Sequence, residues 1–159
     1  MPESTDPVVV AFDGSDESRA AVTAAARLFA GRQLWIVSVY EPPLALVTQA
    51  YVDPMTGGYV TPTPELTATV EHIQRKHAGA SADAGARLAH SLGAEAEPLA
   101  IADGDVADAI GAVADERDAA VLVVGSRGLG AVKAKLIGST SRRLLHEARR
   151  PVLVVRAVE

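Results

Sequence analysis

Short, largely apolar runs alternate along this chain with longer stretches in which apolar residues recur every third or fourth position. The runs at 8–12, 34–40, 119–124 and 151–155 have the length of strands buried on both faces. Residues 95–102 form a fifth, weaker run, because alanine alternates with glutamate around Pro98, a pattern suited to a sheet edge rather than its centre.

The intervening stretches have helical spacing and helical punctuation. Over 15–30, Ala21, Ala25 and Leu28 recur beside Val22 and Phe29, with Ser15 and Asp16 where an N-cap and a first-turn acid belong and Gly31 where the helix must stop. Thr63-Pro64-Glu65 reads as N-cap, first-position proline and first-turn acid. Leu66, Val70, Ile73, Ala80, Ala84, Leu88 and Leu92 then carry a stripe to Gly93. The expectation is one long helix, in which Gly79 and Gly85 each cost about 1 kcal/mol against alanine and leave room for a bend or break. Asp105 and Asp108 form a cap-like pair ahead of Val106, Ala109, Ile110 and Val113, and the helix they start runs to about Arg117. A last helix is expected over 139–148. Residues 41–63 follow neither period, are rich in proline and contain Gly57-Gly58, so they read as an extended loop of the functional or mobile kind.

Five apolar strands alternating with about four helices require parallel pairing through right-handed crossovers. The expected fold is α/β, one domain built on an open, doubly wound, five-stranded parallel sheet of order 3-2-1-4-5, with its core over about 7–156. In such sheets ligands sit outside the carboxyl ends of the strands where the winding reverses. If the order is 3-2-1-4-5, that point lies between the first and fourth strands and brings Asp13-Gly14-Ser15 beside Gly125-Ser126-Arg127-Gly128.

Charge and composition exclude several partners. Fifteen Lys and Arg against twenty Asp and Glu leave a net charge of −5, a field that repels a nucleic-acid backbone or an anionic membrane. There is no cysteine, hence no disulfide framework or thiol nucleophile. The polar, acidic start is unlike a signal peptide, and no apolar run approaches the ~20 residues that span a bilayer, so a cytoplasmic protein is expected. His72 and His77 are five apart and miss the spacing of paired helix metal ligands; His90 and His146 stand alone. No serine lies in a Gly-x-Ser-x-Gly elbow.

The densest chemistry follows the fourth strand, in Gly125-Ser126-Arg127-Gly128-Leu129-Gly130 and then Gly138-Ser139-Thr140. It is not a Walker loop, because Gly130 is followed by Ala131-Val132. Nor is it a dinucleotide fingerprint, because the position three after Gly130 is Lys133. Glycines at 125 and 128 free backbone N–H groups to approach an oxyanion and permit the positive φ that an anion nest often uses. Gly138 and Ser139 open a helix whose unpaired N–H groups favour phosphate, with the Ser139 and Thr140 hydroxyls as further donors. Ser139 also suits an N-cap, Asp13 a turn cap, and Gly104 a plain turn.

Gly125, two residues, Gly128, nine residues, Gly138 and Ser139, downstream of Asp13-Gly14-Ser15 and closed by Pro151-Val152-Leu153-Val154-Val155, resemble the ATP-binding branch of the universal stress protein family over about 7–156. The resemblance implies an adenine nucleotide alpha hydrolase-like fold. It implies triphosphate between 125–130 and Gly138-Ser139-Thr140, and adenine near Val39 with Ala11 and Gly104 lining the cleft. Asp13 would stand near ribose and phosphates as a possible magnesium ligand, and a homodimer would form through the last strand. The function expected is a nucleotide-dependent regulatory module in stress response with at most slow hydrolysis. The alternatives are an adenylyl- or phosphoryl-transfer enzyme on the same cradle, or a structural dimer with an unused site.

Overall fold

The computed structural model describes residues 5–43, 51–52, 55–60, 63–127 and 137–157. Strand β1 (Val8–Ala11) leads to helix α1 (Asp16–Leu28) and β2 (Leu34–Tyr40). A short pair, β3 (Tyr51–Val52) and β4 (Tyr59–Val60), precedes α2 (Pro64–Ser91). Then follow β5 (Ala96–Ala102), α3 (Val106–Glu116), β6 (Val121–Gly125), α4 (Ser139–Glu147) and β7 (Val152–Val155). The five long strands form one parallel sheet in the order β5-β2-β1-β6-β7, which is 3-2-1-4-5 when only they are counted. Val8 lies opposite Leu34 on one side and Val121 on the other, so β1 is central. β5 and β7 are the edges, and Pro98 sits on β5, where a missing N–H costs the sheet least.

Strand alternation sorts the core into two layers. Val8, Val10 and Phe12 face Ala21, Val22 and Ala25 of α1 and Ala86 and Ala89 of α2. Val9, Ala11 and Val37 face Ile110 and Val113 of α3 and Leu144 of α4. Leu34, Ile36 and Leu122 are fully buried, and each such side chain contributes about 1.5–3 kcal/mol of transfer free energy.

Two local expectations are corrected. Residues 41–63 are not loop throughout: within them β3 and β4 pair antiparallel, Tyr51 opposite Val60 and Val52 opposite Tyr59, across a turn in which Gly57 has φ +65°. Helix α2 is the one long helix expected, continuous through Gly79 and Gly85. A Cβ at Gly85 would lie 2.6 Å from Cγ2 of Ile36 and 3.0 Å from Cγ of Phe12, so this glycine lets the helix sit close on the sheet. The face of α2 also differs from the leucine stripe. Its buried row is Ala78, Ala82, Gly85, Ala86 and Ala89, while Leu66 and Ile73 are about half exposed. Close approach selects small side chains, and the larger ones are displaced to the flanks. For the same reason Leu28 of α1 is exposed and Ala26 buried.

Candidate functional site

A cleft of about 770 Å³ opens at the carboxyl ends of β1, β2 and β6. Its first wall is the turn from β1 into α1. Gly14 takes φ +84°, a conformation that disfavours any side chain, and Asp13 Oδ1 accepts the Ser15 N–H at 2.9 Å. Ser15 then caps α1: its Oγ accepts from the Ser18 N–H, and Ser18 Oγ donates back to the Ser15 carbonyl.

The second wall is the end of β6. A Cβ on Gly125 would lie 2.7 Å from the carbonyl carbon of Glu17 and 2.9 Å from its oxygen, so glycine here allows the first turn of α1 to lie against the strand. Gly125 is not among the positive-φ glycines, so close approach rather than a left-handed nest explains it. Ser126 is buried and pinned: its N–H donates to the Val155 carbonyl and its carbonyl accepts from the Gly138 N–H, both at 2.7 Å. Ser141 Oγ donates to the Gly125 carbonyl at 2.6 Å, tying the first turn of α4 to the strand end. Arg127 pairs with Glu17 at 2.6 Å.

The N-terminus of α4 differs from the other three. Ser15, Thr63 and Asp105 cap α1, α2 and α3 through their side chains, and each of those helices carries an acid in its first turn. The N-cap of α4 is Gly138, not Ser139, with no side-chain cap and no first-turn acid. Among the described residues, its first-turn amides and the positive end of its dipole meet no side-chain cap and no first-turn acid, and Gly138, Ser139, Thr140 and Ser141 all line the cleft.

Nearby, Arg143 of α4 holds Asp105 and Asp108 of α3 and Glu147 of its own helix. The Asp108 N–H, and then Arg143, hold the Asp105 carboxyl below the usual carboxylate range. Its contribution to stability is thus present above the unfolded carboxylate pKa and is lost as pH falls through the lowered folded value.

Of the residues singled out from sequence, Ala11, Asp13, Val39, Gly125, Arg127, Gly138, Ser139 and Thr140 line the cleft. Ser126 lies behind it. Gly104 is an exposed turn residue away from the lining, next to Asp103, whose Oδ1 accepts the Asp105 N–H. Gly128, Leu129 and Gly130 lie outside the described residues. Sequence reading missed a third wall on α2, where Gln74, His77, Ala78 and Ser81 line the cleft with Ser38 and Tyr40 of β2. The 3–4 spacing of 74, 77, 78 and 81 was the available signal, masked by the leucine stripe one face over.

A sequence model of the universal stress protein family matches residues 4–156. A universal stress protein of Thermus aquaticus is 32% identical over 151 residues, 94% of this chain and 97% of that protein. One from Mycobacterium tuberculosis is 33% identical over 152 residues, 93% of this chain and 94% of that protein. A universal stress protein crystallised in complex with cAMP matches with a TM-score of 0.63 at 27% identity, over 96% of this chain and 98% of the other.

Proposed function

We propose that this chain, which belongs to the universal stress protein family, binds ATP in the cleft beyond β1, β2 and β6 and acts as a nucleotide-dependent regulatory module in stress response. The observation that carries this reading is the uncapped, acid-free start of α4 opening into the cleft. An anion there meets unpaired N–H groups at the positive end of a helix, the arrangement proteins use for phosphate. The family member in complex with cAMP supports an adenine nucleotide. The first-turn amides and the Ser139 and Thr140 hydroxyls supply donors for the anionic tail of ATP.

On this reading the triphosphate lies against Gly125, Arg127, Gly138, Ser139 and Thr140, with Gly128, Leu129 and Gly130 completing the cradle. The base takes the apolar side formed by Ala11, Val37, Val39 and Ile110. Asp13, the one carboxylate among the described lining residues, suits a ribose hydroxyl or a magnesium ion whose other ligands are phosphate oxygens and water. Calorimetric titration with ATP and magnesium is expected to give one site per chain, with adenosine binding at least tenfold more weakly because it lacks the anionic tail. Equal affinity for ATP and adenosine, or none for ATP, would contradict the reading.

The chain is further proposed to pair with a second copy through β7. Pro151 and Val155 carbonyls accept from β6, so by the parallel ladder pattern the backbone groups of Val152 and Val154 point away from the sheet. Val154→Pro removes one outward N–H without touching the β6 ladder. Sedimentation is expected to show the wild type as a dimer and the variant as a folded monomer; an unchanged dimer would argue against this edge.

A further inference from the structure

Gln74 lines the cleft from α2, and its Oε1 is buried without a hydrogen-bond partner among the described residues. A buried acceptor left unpaired costs about 1–3 kcal/mol, and such atoms in folded proteins usually mark a missing partner. By contrast, the buried serines around the cleft are satisfied: Ser18 by Ser15, Ser38 by Phe12 and Ser141 by Gly125. The missing partner has to be a donor. A phosphate oxygen is excluded on that ground, since at neutral pH it only accepts.

The position of Gln74 says which donor. Helix α2 packs on β2 and β5, in the layer with α1, whereas α4 packs in the opposite layer near β7. Gln74 therefore lies diagonally across the sheet end from the amides of α4. Ala78, one turn further along α2 and buried, shares its lining face with Ser38 and Tyr40 of β2, whereas Val37 and Val39 line the cleft from the opposite layer with Ile110. A base held over the strand ends by Val37, Val39 and Ile110 turns one edge across the cleft towards α2 and its polar amide.

We propose that Gln74 is a specificity residue for the base of the bound nucleotide, its Oε1 accepting a hydrogen bond from the exocyclic amino group of adenine. This rests on the nucleotide-binding reading above. The terminal amide torsion of glutamine is broad and two-fold, so a small rotation brings the oxygen out to the ligand. The same group selects against purines with no amine at that position.

The test compares ATP with the triphosphate of purine riboside, which keeps ring, sugar and phosphates and lacks only the amine, on wild type and Gln74→Met. Wild type is expected to prefer ATP roughly tenfold, the worth of one such bond. In Gln74→Met the two ligands should bind alike, with affinity for purine riboside triphosphate unchanged. The ligand-free variant should melt at or above the wild-type temperature, because an unsatisfied acceptor has been replaced by an apolar group of similar length.

A preserved ATP preference in Gln74→Met would overturn the inference alone. So would a lowered melting temperature of the free protein, which would show a structural role, or loss of preference on moving to 2′-deoxy-ATP instead, which would assign the oxygen to the ribose. Wild type binding neither triphosphate would overturn the nucleotide reading, and this inference with it.

Discussion

Gly138→Asp is expected to abolish ATP binding while leaving the fold as stable as before or slightly more so. Gly138 occupies the N-cap of α4 with φ −60° and ψ 158°, an extended conformation that aspartate adopts readily. A Cβ there meets Arg127 Cα and the Ser126 carbonyl oxygen at 3.5 Å, ordinary contact. The new carboxylate would accept the first-turn amides of α4, as Asp105 does for α3, a gain of a few tenths of a kcal/mol over glycine. It would also place a negative charge where the phosphates belong. At about 4 Å and an effective dielectric of about 20 the repulsion is roughly 4 kcal/mol, enough for more than a hundredfold loss of affinity. Calorimetry and thermal unfolding on one preparation check both halves. A variant that melts higher yet still binds ATP normally would show that the nucleotide does not use these amides.

The second large effect is on stability. Gly125→Ala is expected to destabilise the fold by about 1–3 kcal/mol, the usual cost of forcing atoms into a packed contact. The atoms its Cβ would meet are the carbonyl carbon, Cβ and carbonyl oxygen of Glu17, at 2.7, 2.8 and 2.9 Å. Mostly backbone, they belong to the first turn of α1, which the Ser15 and Ser18 exchange holds in place. Relief therefore requires the helix start to move, and the Arg127–Glu17 pair and the Asp13 turn move with it. For a chain of this length each kcal/mol lowers the melting temperature by about 2–4 °C. Differential scanning calorimetry reads the loss directly; an alanine variant melting with the wild type would remove the close-approach explanation of this glycine.

What the sequence made legible was mostly local. Ser15, Thr63 and Asp105 cap their helices through side chains within three residues of the amides they serve, and a short window is enough to see that. Residues 34–40 form a strand with the expected limits because both faces are covered, leaving a run that is apolar except for Ser38. The alternation of these elements was enough for a parallel, doubly wound sheet; the order 3-2-1-4-5 is one of those it permits and is the order observed.

What was not legible depended on distance between elements. The buried face of α2 is set by how near it approaches Ile36 and Phe12, which favours Ala82 and Gly85 over Leu66 and Ile73. Gln74 and His77 reach the cleft only because α2 crosses β2, more than thirty residues away in sequence. Gly125 drew attention as a phosphate residue, while the described structure gives it a packing role at the same place. Two-residue strands such as β3 and β4 are too short to carry a period at all.

The central claim is that the first-turn amides of α4 hold the anionic tail of a nucleotide. A crystal structure of the chain grown with ATP and magnesium tests it most directly. The account predicts phosphate oxygens within about 3 Å of the Ser139 and Thr140 amide nitrogens. An ATP whose phosphates point to solvent or to another wall, or a start of α4 occupied by the protein's own side chain, would contradict it.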